Sequence, residues 1–234
     1  MQLFSEVLEE LEALAEVKYK KFNQKIVPTK QKMLGVRLPN LRKIAKKIVK
    51  QNPYEFLALD KKNIYEMVFL EGLVLSYMKE NFITLVPLLE SFLKKVDNWS
   101  QVDSTFSGFK SIKMQQVEVL EVIKEWLNSE DEFIVRSALV ILLFYYVEDK
   151  YLKMIFDITQ NVKHRGYYVK MANAWLLSVC MMKFPNQTIT FFKSNNLDKI
   201  TFQKAIAKSL DSYQIAAEYK KELKRVYSVT KPKN

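Results

Sequence analysis

The chain of 234 residues has little of several residue types that mark particular classes of protein. Its one cysteine, Cys180, excludes an internal disulfide and is typical of a reducing compartment. Because histidine also occurs only once, at His164, we expect neither a zinc site nor another metal site, and no cofactor. Four glycines and six prolines are few for this length, which argues against a β-sandwich or barrel with many tight turns.

The sequence also lacks the apolar segments that membrane insertion and secretion require. Its longest apolar run, Ala138 to Val147, is too short to cross a bilayer. The N-terminal stretch MQLFSEVLEELEALAEV is acidic and amphipathic, without the basic region and apolar core of a signal peptide. We therefore expect a cytoplasmic protein with no membrane partner. Separately, we expect it to be a monomer.

Acidic residues are missing from two long intervals of a chain whose net charge is +11. The intervals run from Val17 to Tyr54 and from Ile158 to Leu197. Their basic residues are Lys18, Lys20, Lys21, Lys25, Lys30, Lys32, Arg37, Arg42, Lys43, Lys46, Lys47 and Lys50 in the first interval, and Lys163, Arg165, Lys170, Lys183 and Lys193 in the second. Solvated lysine faces are common, but two long intervals without a compensating acid indicate a polyanionic partner, and nucleic acid is the first candidate.

Helical periodicity fills the chain, and few segments alternate as strands do. The pattern predicts helices over roughly 3–21, 40–51, 62–79, 82–95, 99–110, 114–128, 131–147, 150–162, 167–184, 188–194, 200–212 and 215–227. Glycine, proline and asparagine occupy the connections between them. The sequence therefore predicts an all-α protein.

The helices of the second half repeat. The stretches FIVRSA from residue 133, YYVKMA from residue 167 and TFQKAI from residue 201 are similar. They place Arg136, Lys170 and Lys204 at equal intervals of 34 residues. A period of that size, with two helices per unit, is typical of an α-solenoid of HEAT-like helix pairs. We expect one such domain over residues 1–234, C-shaped with a basic concave groove, and a flexible tail at 228–234.

Equivalent positions in stacked repeats line one continuous surface. Asp103 lies 33 residues before Arg136, so it holds nearly the same place in the preceding unit. We expect Asp103, Arg136, Lys170 and Lys204 to form a row of charges along the groove. An alternative for Arg136 is an ion pair within its own helix to Glu132, four residues earlier.

The stretch NWSQVDSTF places an acid within an apolar pattern. Trp99, Val102, Phe106 and Phe109 recur at helical spacing, and Asp103 follows Trp99 by one turn. Burying an unpaired carboxylate costs several kcal/mol, so the position requires a reason. Asp103 either bonds local backbone groups or has a role in function.

The three tryptophans differ in their neighbours. Trp175 lies in KMANAWLLSV among small residues, which can leave an indole ring standing in a cleft. The alternative is an ordinary core tryptophan. Trp126 has no such setting, and we expect it in the core.

The motifs together resemble those of a known family. The stretches are KFNQKIVPT, GVRLPNLRKIAKKI, NWSQVDSTFSGFK, FIVRSAL and YYVKMANAWLLSV. Their order resembles the AlkD-like DNA alkylation repair family of HEAT-like-repeat alkylpurine DNA glycosylases. The resemblance implies that Trp99, Asp103 and Trp175 are the catalytic set and that Arg136 is the groove arginine. The family's N-terminal aromatic contact has no clear counterpart here, although Tyr19 and Phe22 are candidates.

The same resemblance implies a partner and a reaction. The partner is duplex DNA that contains alkylated bases, and the basic residues expected to hold it are Arg136, Lys170, Lys204, Arg37, Arg42 and Lys43. The reaction is the hydrolysis of the N-glycosidic bond of cationic N3- or N7-alkylated purines, by a monofunctional glycosylase without deep base flipping. A non-catalytic HEAT-repeat protein that binds distorted or branched DNA is the alternative. A protein-interaction scaffold would leave the two basic intervals unexplained.

Overall fold

Helices account for the regular structure of residues 2–230, which are the residues that the computed structural model describes. Within that range no strand forms, and extended pairing is limited to one bridge between Lys32 and Ile64. No helix in the same range is long and apolar enough to cross a membrane. The expected all-α class is confirmed.

The bounds of the helices follow the chain in order. They are α1 Gln2–Ala13, α2 Val17–Ile26, α3 Leu38–Gln51, α4 Pro53–Ala58, α5 Tyr65–Tyr77, α6 Phe82–Leu93, α7 Trp99–Phe106, α8 Lys110–Met114, α9 Gln116–Trp126, α10 Glu132–Tyr145, α11 Asp149–Asn161, α12 Tyr167–Lys183, α13 Pro185–Lys193, α14 Lys199–Asp211 and α15 Ala217–Thr230. The chain divides into two compact units, the first ending at Leu120 and the second beginning at Glu121.

The first unit is built around α5, which packs against both α3 and α7. The sequence of α5 is apolar almost all round, as suits a helix with neighbours on every side. Every residue from Tyr65 to Ser76 is buried. A Cβ atom at Gly72 would overlap the Thr105 hydroxyl and the Phe92 ring, so this glycine permits the close approach of α5 and α7.

The second unit repeats one packing arrangement. Helix α12 packs against α10 and against α14. Helix α13 packs against α12 and α15, and α15 also packs against α14. One apolar cluster, which includes Leu177, Phe192, Phe202 and Leu223, joins α12, α13, α14 and α15. Each of the three similar sequence stretches lies at the start of α10, α12 or α14. The helical-repeat architecture expected from the 34-residue period is confirmed.

The single helix expected over residues 3–21 is wrong. Helix α1 ends at Ala13, and Glu16 is extended before α2 begins. The N–H of Glu16 donates to the carbonyl oxygen of Gly35 at 3.0 Å instead of to a helical acceptor. The local helical pattern is therefore overridden by a hydrogen bond from a distant loop, which periodicity alone does not encode.

The last helix, α15, runs to Thr230, so the expected tail at 228–234 begins inside a helix, and its residues 231–234 lie outside the described residues. A single domain, a C-shaped curve and a basic concave groove stay predictions. Trp126, expected in the core, is 2% exposed, which confirms its assignment.

Candidate active site

Helix α7 carries Trp99 and Asp103, and its start is fixed by a side-chain cap. The Asn98 side-chain oxygen accepts from the N–H groups of Ser100 at 3.1 Å and Gln101 at 3.4 Å. Asparagine is a preferred N-cap residue because it satisfies N–H groups that have no helical partner. Trp99 is therefore the first residue of the helix, and Asp103 follows one turn later.

Buried polar contacts hold one face of α7 against α5. The hydroxyl groups of Tyr65 and Ser100 share a hydrogen bond of 2.7 Å, and burial raises the pKa of Tyr65 to about 12. The Gln101 amide donates to the Tyr65 carbonyl oxygen at 3.1 Å and to the Gln31 side-chain oxygen at 2.7 Å. These bonds are inaccessible to solvent, so they fix the rotation of α7 about its axis.

The packing leaves a second face of α7 partly open. Val102 and Phe106 are fully buried, whereas Trp99 and Asp103 are only half-buried. Asp103 thus lies at the edge of the apolar stripe and not within it. The structure brings the carboxylate and the indole ring to the same face because four residues separate them on one helix.

The indole of Trp99 is held from a distant part of the chain. Its Nε1–H donates to the carbonyl oxygen of Ile26, at the end of α2, at 3.2 Å. Ile26 and Phe22, one turn earlier on α2, are both exposed, and Phe22 retains 57% of its accessible surface. Sequence analysis missed Ile26, although an apolar pair at i and i+4 on a strongly basic helix was a signal that could have been followed.

The two candidates for an N-terminal aromatic contact differ in their surroundings. Tyr19 is half-buried beneath the Arg37 guanidinium, whose carbon lies 4.8 Å from the ring centre. Burial raises the pKa of Tyr19. Phe22 is exposed on the helix whose last carbonyl binds Trp99. Of the two side chains, Phe22 is the one free to contact a ligand.

Arg37, Arg42 and Lys43 come from the first acid-free interval. Arg37 is exposed but binds Glu16 through two hydrogen bonds of 2.7 and 2.9 Å. Lys43 is exposed on α3. Among the described residues of this interval, only Arg37 and Lys47 form ion pairs with an acid. The other exposed cations are therefore available to an external anion.

Arg42 reaches the end of α7. Its guanidinium donates to the Tyr77 hydroxyl at 2.8 Å and to the Ser107 hydroxyl at 3.4 Å. Ser107 is the C-cap of α7, where a cation is stabilised by the carbonyl end of the helix. Arg42 thus places positive charge at the end of the helix that carries Asp103.

Arg136 is buried, with 4% of its surface exposed, at the contact of α10 and α12. Its guanidinium donates to the Tyr168 carbonyl oxygen at 2.8 Å. The carboxylate of Glu132, the alternative partner, accepts from the Tyr168 N–H at 2.6 Å. Both side chains therefore bind the first turn of α12. Arg136 thus has a structural role at the contact of α10 and α12.

The other two members of the basic series are more accessible. The Lys170 ammonium group lies 3.7 Å from the Asp198 carboxylate, and its side chain is 19% exposed. Lys204 is exposed on α14. The three cations that the 34-residue spacing relates thus hold equivalent positions on their helices but differ in exposure.

Trp175 forms one wall of an open cleft of about 670 Å³ in the second unit. The indole is half-buried and meets the Phe144 ring edge-on at 5.7 Å. Val179, Met182 and the fully exposed Tyr213 also line this cleft. Trp175 is therefore packed on one side and open on the other. It is neither an ordinary core tryptophan nor an indole that stands wholly in a cleft, which were the two alternatives from the sequence.

A comparison with protein-family models identifies the group to which these features correspond. The model described as DNA alkylation repair enzyme matches residues 7–209, a span that contains every candidate residue named above. The chain belongs to the DNA alkylation repair enzyme family. A comparison with curated proteins gives no match. Membership in this repair family agrees with the helical repeats and with the two basic intervals, and it indicates a role in the repair of alkylated DNA.

Proposed function

We propose that the chain is a DNA glycosylase of alkylation base-excision repair. It hydrolyses the N-glycosidic bond of cationic N3- or N7-alkylated purines in duplex DNA and leaves an abasic site. The observation that carries the proposal is the pairing of Trp99 and Asp103 on the partly open face of α7, while the opposite face is locked to α5. A helix held this firmly presents its two half-buried side chains in a preorganised position.

The chemistry requires little of the protein beyond electrostatic stabilisation. Alkylation makes the purine a cationic leaving group, so the glycosidic bond is already weakened and no strong general acid is needed. As the bond breaks, positive charge develops on the deoxyribose ring. The Asp103 carboxylate stabilises that charge and orients the attacking water. Addition of this water to the sugar cation, with loss of one proton from the water, gives a neutral sugar.

Trp99 and Trp175 contribute aromatic faces. An indole ring attracts a cation within about 6 Å of its centre, and the attraction grows when water is excluded. Trp99 is fixed by its bond to Ile26, and Trp175 by its contact with Phe144. We infer that each ring, fixed within its own unit, contacts the sugar and backbone of the damaged strand, without a deep pocket for the base.

DNA is held through its phosphates. The exposed cations of the first acid-free interval, Lys43 among them, neutralise backbone charge and release counterions. Arg37 and Arg42 add charge near the start of α3, and Lys170 and Lys204 add it from the second unit. Such contacts position the duplex but carry no sequence information.

The direct experiment is base release from a duplex that contains a single N7-methylguanine. The proposal predicts free N7-methylguanine and an abasic site that alkali cleaves. A duplex with a neutral oxidised purine at the same position is the matched control, and no base release is expected from it. If the protein binds both duplexes and releases no base from either, it is a non-catalytic DNA-binding protein and the proposal is wrong.

A further inference from the structure

The second unit contains a polar cavity of about 250 Å³ that shares no residue with α7 or with the cleft at Trp175. Its walls are the end of α11, the loop of residues 162–166, the first turns of α12 and the start of α14. The loop between α13 and α14 closes it through Asn196 and Asp198. The cavity therefore lies where two successive repeats meet.

Two buried polar atoms in the wall of this cavity have no hydrogen-bond partner within the described chain. Asn173 is 4% exposed, and its amide N–H donates to the Thr159 carbonyl oxygen at 2.9 Å. That bond fixes the orientation of the amide, and the Asn173 Oδ1 atom stays unpartnered. The hydroxyl of Thr201 is fully buried and also unpartnered. Buried polar groups are nearly always satisfied, so a pair of exceptions in one cavity points to a bound group.

The charges around the cavity are mainly positive. Lys163 and Arg165 are exposed at its rim, and Lys170 lies inside. The one carboxylate, that of Asp198, accepts from two N–H groups at the start of α14, those of Ile200 and Thr201, at 3.1 and 3.2 Å. The same carboxylate lies 3.7 Å from the Lys170 ammonium group. Three cations and one partly neutralised acid favour an anionic ligand.

The histidine in this wall orders the loop that carries it through two hydrogen bonds. The Nδ1 atom of His164 accepts from the Gly166 N–H at 3.0 Å, so the ring proton lies on Nε2 and is directed at the Glu130 carbonyl oxygen at 3.1 Å. The bond to the Glu130 carbonyl oxygen ties the loop of His164 to the preceding repeat. The loop that carries Lys163 and Arg165 is therefore held in place before any ligand arrives.

We propose that this cavity binds a phosphate group. The Thr201 hydroxyl and the Lys170 ammonium group donate to phosphate oxygens, and Lys163 and Arg165 complete the charge balance from the rim. The Asn173 oxygen accepts a hydrogen bond from the protonated oxygen of a terminal or free phosphate, whereas a backbone phosphodiester has no such proton and is held by the donors alone. The group comes either from the DNA backbone or from a terminal or free phosphate. Only the first source depends on the proposed binding of DNA, and neither depends on base release.

Inorganic phosphate tests the site directly. Titration of the full chain with phosphate against chloride, at equal ionic strength, gives a Kd from the rise in Tm, because a ligand that binds only the folded state stabilises it. Thr201→Val and Lys170→Gln should each weaken phosphate binding by about tenfold or more. Lys224→Gln, which removes an exposed charge outside the cavity, should leave the Kd unchanged.

Thr201→Val separates this role from a structural one. Because the Thr201 hydroxyl has no partner in the protein, the isosteric valine should keep or raise the Tm measured in chloride. A general stabilisation by phosphate as a solvent additive would be equal in all variants. If phosphate raises the Tm of Thr201→Val and Lys170→Gln as much as that of the wild type, the cavity is not a phosphate site.

Two DNA substrates distinguish the sources. Thr201→Val carries no change in charge, so it leaves long-range attraction to DNA intact. If the site takes a backbone phosphate, this variant binds closed circular duplex more weakly than the wild type does. If the site takes a terminal phosphate, the variant loses only the preference for linear duplex with 5′-phosphates over the same duplex with 5′-hydroxyls. Phosphate affinity that depends on Thr201 with no effect on either DNA assigns the site to free phosphate. Base release is measured separately, so failure of the glycosylase proposal does not decide this one.

Discussion

The indole nitrogen of Trp99 and the backbone oxygen of Ile26 lie 3.2 Å apart, although 73 residues separate them in the chain. This hydrogen bond connects the first residue of α7 to the last residue of α2. It orients the indole from outside its own helix, so the position of the ring depends on two elements at once. Lys21 and Lys25, on α2 near this contact, are exposed, and they connect the candidate catalytic helix to the first acid-free interval.

The Trp99–Ile26 bond predicts different outcomes for two substitutions. Trp99→Phe keeps an aromatic face but removes the N–H donor, so it should lower stability by about 1 kcal/mol and reduce base release modestly. Trp99→Ala removes the face as well and should weaken binding of the damaged strand and slow the reaction. Single-turnover release of N7-methylguanine and Tm measure the two effects. Equal rates for the Phe and Ala variants would remove the aromatic face from the mechanism.

The loop before α3 depends on one buried carboxylate. Glu66 is fully buried and accepts from the N–H groups of Leu34, Gly35 and Val36 at 2.8, 2.7 and 3.3 Å. Gly35 has φ of +106°, a backbone conformation that favours glycine. The conformation of the loop therefore depends both on this glycine and on the Glu66 carboxylate.

Glu66→Gln should therefore destabilise the protein. The amide cannot accept as strongly from three N–H groups and brings two buried donors of its own, so a loss of about 2–4 kcal/mol is expected. Urea unfolding measures it. Glu118→Gln, which changes an exposed carboxylate on α9, should change stability by less than about 0.5 kcal/mol. A similar small effect at Glu66 would mean that the loop is held by other contacts.

DNA binding should show the salt dependence of phosphate contacts. Lys43→Gln should weaken binding to damaged and undamaged duplex alike and should lower the slope of log K against log salt by about 0.9. Lys224→Gln, on α15, is the control with the same change in charge. A Lys43 variant whose affinity for only one of the two duplexes falls would contradict a backbone contact.

Alkaline pH should destabilise the fold through Cys180. Burial raises the pKa of its thiol to about 12 from an ordinary value of 9.0. The folded state then holds its proton where the unfolded state has lost it, so stability is full below pH 9 and falls as pH rises towards 12. Between pH 8 and pH 10 the loss from this group should be about 1 kcal/mol.

Urea unfolding of wild type and Cys180→Ala at several pH values isolates that contribution. The alanine variant starts from lower stability because a buried side chain is shortened, but its stability should fall less between pH 8 and pH 10. Above pH 10, Tyr65 also lowers the free energy of unfolding in both proteins, since burial raises its pKa to about 12. Parallel pH curves for the two proteins would show that the Cys180 thiol is not buried in solution.

The sequence predicted the features that depend on residues close together in the chain, such as helix starts and repeat spacing. The predicted start of a helix at residue 99 agrees with the first residue of α7, and the repeat of α10, α12 and α14 follows from the 34-residue spacing. The break between α1 and α2 did not follow, because the N–H of Glu16 is satisfied by Gly35, 19 residues later. Helical periodicity contains no information on such a partner.

The candidate site was predicted in part for the same reason. The joint face of Trp99 and Asp103 is a property of one helix and was expected from their separation by four residues. The burial of Arg136 and its bond to Tyr168 were not expected, because they arise where two helices meet. Ile26 was not predicted as the partner of Trp99, because a backbone carbonyl oxygen makes the contact, although the exposed apolar pair of Phe22 and Ile26 on a basic helix marked the position.

Single-turnover excision of N7-methylguanine by wild type and Asp103→Asn decides whether the Asp103 carboxylate takes part in the reaction. Tm and DNA affinity are measured on both, and Asp60→Asn, at an exposed acid of the same unit, is the matched control. Loss of one preorganised charge typically costs about 2–4 kcal/mol of transition-state stabilisation, and the cost here is reduced because a cationic purine departs unaided at an appreciable rate. We expect Asp103→Asn to release base much more slowly than the wild type, while its folding and DNA affinity are nearly unchanged. Equal excision rates for wild type and Asp103→Asn would contradict it.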